Sequence, residues 1–340
     1  MNDTEKPFTI AAVQASPVFM DRDATIEKAC GLIAEAAKNG AKIIVFPEAF
    51  VPTYPDWVWV LPSGRADVHR TLYGELLDQS VAVPGDATEK LGRAAKAAGA
   101  YVVMGVNERN VEASGASIYN TLLYIGPDGS LLGKHRKLMP TSGERLVWAA
   151  GDGSTLDVYD TPYGKLGGLI CWENYMPLAR YAMYAWGTQI YVAATWDCAD
   201  TWLASLQHIG KEGRCFVIGC CIAMRKDDIP DSYEFKGLYP ADHVWINRGA
   251  SAIIDPDGHV IAGPVFEKEE VLYAAIEPRQ LREPKYWFDP AGHYARPDIF
   301  QLSVNRSANP MINVVDSQRS TDGVASAATP RPQKAKPQRG

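Results

Sequence analysis

The sequence contains no apolar run of the length that a membrane span requires. A transmembrane helix needs about 18 or more largely apolar residues in a row, and no segment of the 340 residues approaches that length. Residues 1–7 are polar and include Asp3 and Glu5, so they lack the basic and apolar regions of a secretory signal peptide. These absences predict a cytoplasmic location and no membrane partner.

An excess of positive charge is also missing. The net charge is −6, and no basic stripe is visible among the 22% of residues that are charged. Proteins that bind nucleic acids usually concentrate Lys and Arg on one face, so we predict no nucleic-acid partner. The 46% of hydrophobic residues are typical of a globular protein, and a chain of this length can bury a full core.

Cysteine and histidine are scarce, with six residues of each. The sequence has no C-x-x-C, H-x-H or H-E-x-x-H motif, so it indicates neither a disulfide framework nor a metal site. We therefore predict no metal and no other cofactor. Intracellular cysteines are most often small buried hydrophobes, and we assign five of the six to packing: Cys30, Cys198, Cys215, Cys220 and Cys221.

Segments with strand and helix patterns follow one another along the chain. Short apolar runs indicate buried strands, and apolar residues at helical spacing indicate helices that cover them. Pro-Asp-Gly turns at 127–129 and 256–258 predict two hairpins. The order predicts an α/β fold. The predicted strands are 8–15, 42–46, 101–106, 118–125, 130–135, 165–170, 189–194, 215–223, 250–254, 259–263 and 271–276, the predicted helices are 23–38, 86–98, 178–186 and 200–214, and 54–62 is a predicted loop.

The last residues of the chain differ in composition from the rest. Residues 316–340 have almost no large apolar side chains and contain five Lys or Arg against two Asp. A segment of this kind cannot bury enough apolar surface to fold alone. We therefore predict one domain over 1–315, followed by a disordered basic tail, rich in Pro, Ser and Ala, over 316–340.

Cys171 is the candidate nucleophile. It follows the glycine-containing apolar strand at 165–170, and a helix is predicted soon after it. A side chain at such a sharp turn faces its target beside backbone N–H groups, and this position favours the thiolate. The alternatives are a buried cysteine at a strand end, or a cysteine paired with a histidine from a distant segment.

Three charged residues are candidates for assisting this sulfur. Glu48 follows a strand within Phe-Pro-Glu-Ala-Phe, where desolvation would raise the pKa of its carboxyl towards that of a general base. Lys137 either stabilises an anionic intermediate or belongs to a basic surface strand. Glu144 either holds that lysine or orients a water, unless it forms a surface pair with Arg145. For Glu48, a charge exposed at a strand end is the alternative.

Together these segments resemble the nitrilase family of carbon–nitrogen hydrolases. The resemblance extends from about residue 8 to residue 315 and implies a four-layer α-β-β-α sandwich with a Glu-Lys-Cys triad. The order and spacing of the matching segments make it specific. They are FPEAF at 46–50, HRKLMPT at 135–141, GERLVWAAGDGS at 143–154, GGLICWENYMPLARYAMY at 167–184 and DPAGHYARPDIFQL at 289–302.

The resemblance also implies roles for the candidate residues. Glu48 is then the general base, Lys137 the electrostatic stabiliser and Cys171 the nucleophile, and Glu144 is a second glutamate that supports the lysine. Cys-Trp-Glu at 171–173 is similar to nitrilases rather than to the amidase and carbamoylase branches. The implied reaction converts an organic nitrile to a carboxylic acid and ammonia through a covalent thioimidate and thioester.

The implied partners are a small-molecule nitrile and further copies of the chain, in a homodimer that builds larger spiral assemblies. The loop at 52–61 is expected to influence which nitrile is accepted. An amidase, a carbamoylase, a cyanide-degrading enzyme and a catalytically idle filament-forming protein remain alternatives. Aromatic residues are more often core than pocket, but the predicted substrate-contacting residues are Tyr54, Trp172, Glu173, Thr195 and Trp196.

Overall fold

The computed structural model describes residues 6–310 and 312. The predicted tail at 316–340 lies outside the described residues, so the boundary at 315 stays a prediction. The strands are β1 Phe8–Gln14, β2 Ala41–Val45, β3 Val81–Ala82, β4 Tyr101–Arg109, β5 Ile118–Ile125, β6 Leu131–Arg136, β7 Val158–Tyr159, β8 Leu166–Ile170, β9 Ile190–Thr195, β10 Phe216–Cys221, β11 Ala223–Arg225, β12 Trp245–Ile254, β13 Val260–Phe266 and β14 Glu270–Ile276. The α-helices are α1 Arg22–Lys38, α2 Trp57–Val60, α3 Ala66–Gln79, α4 Asp86–Ala98, α5 Pro177–Ala185 and α6 Asp200–Gly213.

The strands form two sheets. The first sheet has the order β14-β1-β2-β4-β5-β6, with β3 beside β4, and the second has the order β11-β12-β10-β9-β8-β7, with β13 beside β12. The strands β1, β2 and β4 are parallel, as are β8, β9 and β10. Parallel strands with both faces covered read as continuous apolar runs, and this is why β2 and β9 are buried over nearly their whole length.

Three apolar clusters define four layers. One cluster joins α1 and α4 to the outer face of the first sheet, and another joins α5 and α6 to the outer face of the second. Successive strand residues point to opposite faces, so the alternate residues meet between the sheets in the third cluster. The predicted α-β-β-α sandwich is confirmed. The central cluster includes Ile10, Ile43 and Val103 from the first sheet and Ile170, Val192 and Ile218 from the second.

Local chemistry sets the ends of the outer helices. The side chain of Asp21 accepts a hydrogen bond from the backbone N–H of Ala24 at 2.9 Å and caps the start of α1, as short polar residues commonly do. Helix α4 ends at Gly99, whose φ of 59° lies in the left-handed region where glycine has no steric penalty.

A glycine on β4 lets a functionally important segment approach the sheet. A Cβ atom on Gly105 would lie 1.9 Å from the carbonyl oxygen of Pro47 and 2.7 Å from the backbone nitrogen of Ala49. Any larger residue would therefore displace the backbone on both sides of Glu48. This close contact fixes Glu48 against the first sheet.

The structure adds two helices to those predicted. Helix α2 lies within the predicted loop at 54–62, and α3 occupies a stretch for which no element was predicted. Only Leu72 and Leu76 of α3 are buried, so its apolar stripe is too sparse to be recognised by periodicity. Within the described part of the chain, no helix combines the length and apolarity that crossing a bilayer demands.

Candidate active site

Three strand ends bring the predicted catalytic residues together. Glu48 comes shortly after β2, Lys137 directly after β6 and Cys171 directly after β8. In α/β sheets functional residues gather outside the carboxyl ends of strands. Here two sheets contribute to one such site, because Glu48 and Lys137 extend from the first sheet and Cys171 from the second.

Lys137 is the centre of a buried ion network. Its Nζ donates hydrogen bonds to Glu48 Oε1 and to Glu144 Oε2, each at 2.7 Å. The exposed fractions are 0% for Lys137, 0% for Glu48 and 1% for Glu144. Burial opposes the charged form of the lysine, but the neighbouring carboxylates outweigh it and raise the pKa of Lys137 above its ordinary value. Lys137 is therefore a permanent ammonium.

Successive side chains along β6 point to opposite faces of the sheet, and this places Lys137 on the other face from its basic neighbours. Lys134 and Arg136 point to the other side, where both pair with Glu108, at 2.6 Å and 2.7 Å. Lys137 and His135 point inward, as the two-residue period of a strand requires. The interpretation of Lys137 as one charge of a surface strand does not describe this structure.

Glu48 is held by three donors. Oε1 accepts from Lys137 and from Asn120 Nδ2 at 2.7 Å, and Oε2 accepts from the backbone N–H of Trp196 at 2.7 Å. Burial raises the pKa of Glu48 although the Lys137 ammonium lowers it in part. A carboxylate with a raised pKa is a better proton acceptor. The predicted desolvation of Glu48 is present, and an exposed position is excluded by its burial.

Glu144 lies in a 3-10 helix, Ser142–Leu146, that starts after Thr141. Its Oε2 accepts from Lys137 and from the backbone N–H of Thr141 at 2.6 Å, and its Oε1 accepts from the Tyr54 hydroxyl at 2.7 Å. The Tyr54 ring stacks on the Trp196 ring with centroids 4.3 Å apart. Both oxygens of Glu144 are therefore fixed, and Lys137 is held by Glu48 and Glu144 together.

Cys171 sits at a tight turn between β8 and the 3-10 helix Cys171–Tyr175. Its φ of 52° lies in the left-handed region, which non-glycine residues adopt at a cost and often at functional sites. Asn174 Nδ2 donates to the carbonyl oxygen of Cys171 at 2.8 Å and supports the turn. The hydroxyl of Thr195 donates to Sγ at 3.2 Å, so the predicted Thr195 contacts the sulfur itself.

The protonation state of Cys171 differs from the thiolate that the turn was expected to favour. Burial and the charge of Glu48 raise the pKa of the Cys171 thiol, and Lys137 lowers it only in part. The effect of the turn is smaller than the desolvation of a sulfur placed beside carboxylates. The raised pKa favours the protonated thiol over the thiolate.

A cavity of about 440 Å³ opens above this sulfur. Tyr54, Trp172 and Trp196 line it as predicted contacts, whereas the predicted contact Thr195 is fully buried and is not among the lining residues. Cys198 also lines it and was wrongly assigned to packing. Across residues 6–310 and 312, no group of three or more His, Cys, Asp or Glu is arranged to hold a metal ion. The full lining is Tyr54, Trp59, Thr141, Glu144, Cys171, Trp172, Trp196, Asp197, Cys198 and Ala199.

Glu173 takes a different place from the substrate contact predicted for it. It is buried and is not part of the cavity lining. It accepts from the backbone N–H of Ile170 at 2.7 Å, from that of Leu138 at 2.6 Å and from His135 Nε2 at 3.0 Å. Ile170 precedes Cys171 and Leu138 follows Lys137, so this carboxylate ties the cysteine turn to the lysine.

Glu173→Gln is expected to lower kcat by about 10–100-fold with little change in KM, because an amide cannot accept from all these donors and a small misplacement of reacting groups is costly. Steady-state kinetics with thermal unfolding measures both effects. Glu212→Gln is the matched control, since Glu212 pairs with Arg180 at 3.0 Å away from the cavity lining. A variant of Glu173 with unchanged kcat, or one that changes only its melting temperature, would contradict the positioning role.

Comparison with known proteins agrees with this fold. The carbon–nitrogen hydrolase family model matches residues 9–286. The crystal structure of the NitFhit protein of C. elegans matches with a TM-score of 0.69 at 20% identity, covering 90% of this chain and 69% of that one. The chain belongs to the carbon–nitrogen hydrolase family.

Closer relatives narrow the assignment. The aliphatic nitrilase of Sinorhizobium fredii strain HH103 is 46% identical over 300 residues, which are 88% of this chain and 96% of the relative. Nitrilase 2 of Arabidopsis thaliana is 44% identical, over 86% of this chain and 87% of the relative. Within its family, the chain is therefore one of the nitrilases.

Proposed function

We propose that this protein hydrolyses an organic nitrile to the carboxylic acid and ammonia, with Cys171 as the nucleophile. The observation that carries the proposal is the single buried network of Glu48, Lys137 and Glu144 beside the sulfur at the base of the cavity. The identity to proteins named nitrilases favours nitriles over amides, carbamoyl-amines and cyanide as substrates.

In the first step Glu48 takes the proton of the Cys171 thiol as the sulfur attacks the nitrile carbon. The C–S bond forms, one C–N π bond breaks, and the nitrogen receives the proton from Glu48, which gives a neutral covalent thioimidate. The raised pKa of Glu48 suits both parts of this transfer. Backbone N–H groups at the turn after Cys171 are suited to stabilise the charge that develops.

In the second step Glu48 takes a proton from a water, which adds to the thioimidate carbon, and Glu48 passes this proton to the nitrogen as the C–N π bond breaks. The resulting tetrahedral species carries a hydroxyl and an amino group. Lys137, held as an ammonium by Glu48 and Glu144, stabilises its oxygen as negative charge develops there. Glu48 moves the hydroxyl proton to the amino group, the C=O bond forms as the C–N bond breaks, and ammonia leaves, so that a thioester remains. A second water then releases the acid and restores the thiol. Loss of the thiol instead of ammonia would release an amide.

A panel of nitriles and their matched amides tests this proposal. We expect acid and equimolar ammonia from at least one nitrile class, with acid, amide and ammonia quantified separately. Hydrolysis of amides but of no nitrile would contradict the proposed substrate. An idle filament-forming protein would release no ammonia from any compound.

Assembly and location stay predictions. An interface between copies of the chain is supported by apolar side chains near α5, where Leu178 is 69% exposed and Phe300 77%. Both line a groove of about 740 Å³ that includes Tyr181 and Tyr294, and exposed apolar patches commonly mark protein interfaces. Light scattering of the purified protein measures the assembly. A cytoplasmic location rests on the sequence pattern alone.

A further inference from the structure

The reaction proposed above creates an anion inside a cavity that already carries negative charge. Two carboxylates, Glu144 and Asp197, are among the lining residues, and no Lys or Arg is found in the lining that the described residues form. The nearby Lys137 is buried and bound to two carboxylates at 2.7 Å. A substrate therefore meets more negative than positive charge.

Three hydrogen bonds hold Asp197 at the wall. Its Oδ2 accepts from Trp172 Nε1 and its Oδ1 from the backbone N–H of Ala199, each at 2.8 Å. The backbone N–H of Asp197 donates to Thr195 Oγ1 at 2.8 Å, and the Thr195 hydroxyl contacts the Cys171 sulfur at 3.2 Å. Two successive hydrogen bonds, through Thr195, thus connect the backbone of Asp197 to the sulfur of Cys171.

The charge of Asp197 is not cancelled by these contacts. Its two side-chain partners, an indole N–H and a backbone N–H, are both neutral. Arg248 lies near Cys198 but pairs with Asp200 at 2.5 Å and is not part of the lining. A fixed carboxylate in a partly enclosed cavity repels a like charge more strongly than it would in open water.

The remaining walls are largely aromatic. Tyr54, Trp59, Trp172 and Trp196 line the cavity, and aromatic side chains favour apolar groups that bury surface against their faces. The wall chemistry thus combines attraction for an apolar body with repulsion of an anion. Specificity of this kind depends on the repulsive element as much as on the attractive one.

We infer, on the basis of the proposed function, that the substrate is a neutral nitrile with an apolar body and that Asp197 discriminates against nitriles that carry a carboxylate. The same repulsion acts on the acid once it is released, because the product is an anion formed where the neutral nitrile was bound. Asp197 therefore favours departure of the product as well as selection of the substrate.

Two pairs of compounds test this inference. One pair is 3-(4-carboxyphenyl)propionitrile and its nitro analogue, and the other is 5-cyanopentanoate and its nitro analogue; a nitro group has the shape of a carboxylate but no net charge. We expect kcat/KM for the carboxylate to be at least about tenfold below that of the nitro compound, as for a like-charge contact in a site of reduced dielectric. Asp197→Asn is expected to bring this ratio towards one and to strengthen inhibition by the acid product.

The ratio of kcat/KM for the carboxylate to that for its nitro analogue distinguishes an effect of charge from an effect of structure. A purely structural defect in Asp197→Asn would lower kcat/KM for both compounds equally and leave the ratio unchanged. Asp160→Asn is the control, because Asp160 is an exposed acid outside the lining, and its ratio should equal that of the wild type. Equal rates within each pair for the wild type, or an unchanged ratio in Asp197→Asn, would overturn the inference while the nitrilase function stands. Failure of both neutral compounds would also overturn it, and the nitrile panel above then decides separately whether the proposed function fails too.

Discussion

Cys171→Ala is expected to lower kcat for nitrile hydrolysis on the order of 10⁵-fold or more, since removal of the nucleophile in a covalent hydrolase eliminates the chemical step itself. The fold should persist. The sulfur has one side-chain partner, Thr195, so we expect the free energy of unfolding to change by no more than about 2 kcal/mol. Single-turnover kinetics with product analysis measures the first effect, and thermal unfolding measures the second.

A matched cysteine provides the control for this experiment. Cys215 is also buried, and its thiol pKa is raised by burial as that of Cys171 is, but it packs in the cluster on the outer side of the second sheet. Cys215→Ala should keep near wild-type turnover. Nitrile hydrolysis by Cys171→Ala within tenfold of the wild type would remove this sulfur from the mechanism.

Lys137→Met is expected to lower kcat/KM by about 10²–10³-fold, the range seen when one preorganised stabilising group is lost. It should also destabilise the fold by about 3–5 kcal/mol, because Glu48 and Glu144 would remain buried without their cation. Methionine has a similar length, so loss of the charge rather than a cavity dominates. Steady-state kinetics and denaturant unfolding measure the two effects.

The loss of stability in Lys137→Met should depend on pH. Lys137 lowers the pKa of Glu48, and burial raises it, so removal of the lysine raises the folded-state pKa further above its unfolded value. A group with a raised folded pKa contributes most stability when it is protonated and loses it as the pH rises. The difference in the free energy of unfolding between the wild type and Lys137→Met should therefore be smaller at about pH 5 than at about pH 8.

Lys134→Met is the control for the lysine experiment. Lys134 is on the same strand and also binds a buried glutamate, at 2.6 Å, but on the other face of the sheet. We expect a stability loss there with kcat/KM within about threefold of the wild type, since Lys134 does not line the cavity and distant sites act independently. Equal losses of activity in both lysine variants would show that the effect of Lys137→Met is general destabilisation.

The parts of the fold that depend on local pattern could be predicted from the sequence. Helix α4 and strand β5 have the predicted bounds, because capping residues, glycine stops and continuous apolar runs are local features. Helix α3 could not be predicted, since tertiary contacts of two leucines hold it in place. The pairing of β14 with β1 joins residues about 260 positions apart, and no local pattern encodes such a partner.

The residues of the site also fall into those that the sequence could predict and those that it could not. Glu48, Lys137 and Cys171 each stand within two residues of the end of a predicted strand, so their places at strand ends follow from local pattern, and their meeting in one site follows from the resemblance. The contacts that tune them come from distant segments: Asn120 and Trp196 bind Glu48, and no pattern around either residue shows it. The resting state of Cys171 was also beyond local inference, because its pKa is set by burial and by carboxylates from other strands.

The division of the site between two sheets determines how the activity of this protein can be lost and recovered. Glu48, Lys137 and Glu144 come with the first sheet and Cys171 with the second, so a fragment that ends before β7 contains the proposed base without the proposed nucleophile. Cutting the chain there would yield two inert pieces, and turnover would return only on reassembly. Turnover therefore reports whether the two sheets are packed correctly against each other. A shift of one sheet relative to the other would abolish activity, while the spectroscopic signal of both sheets would be retained.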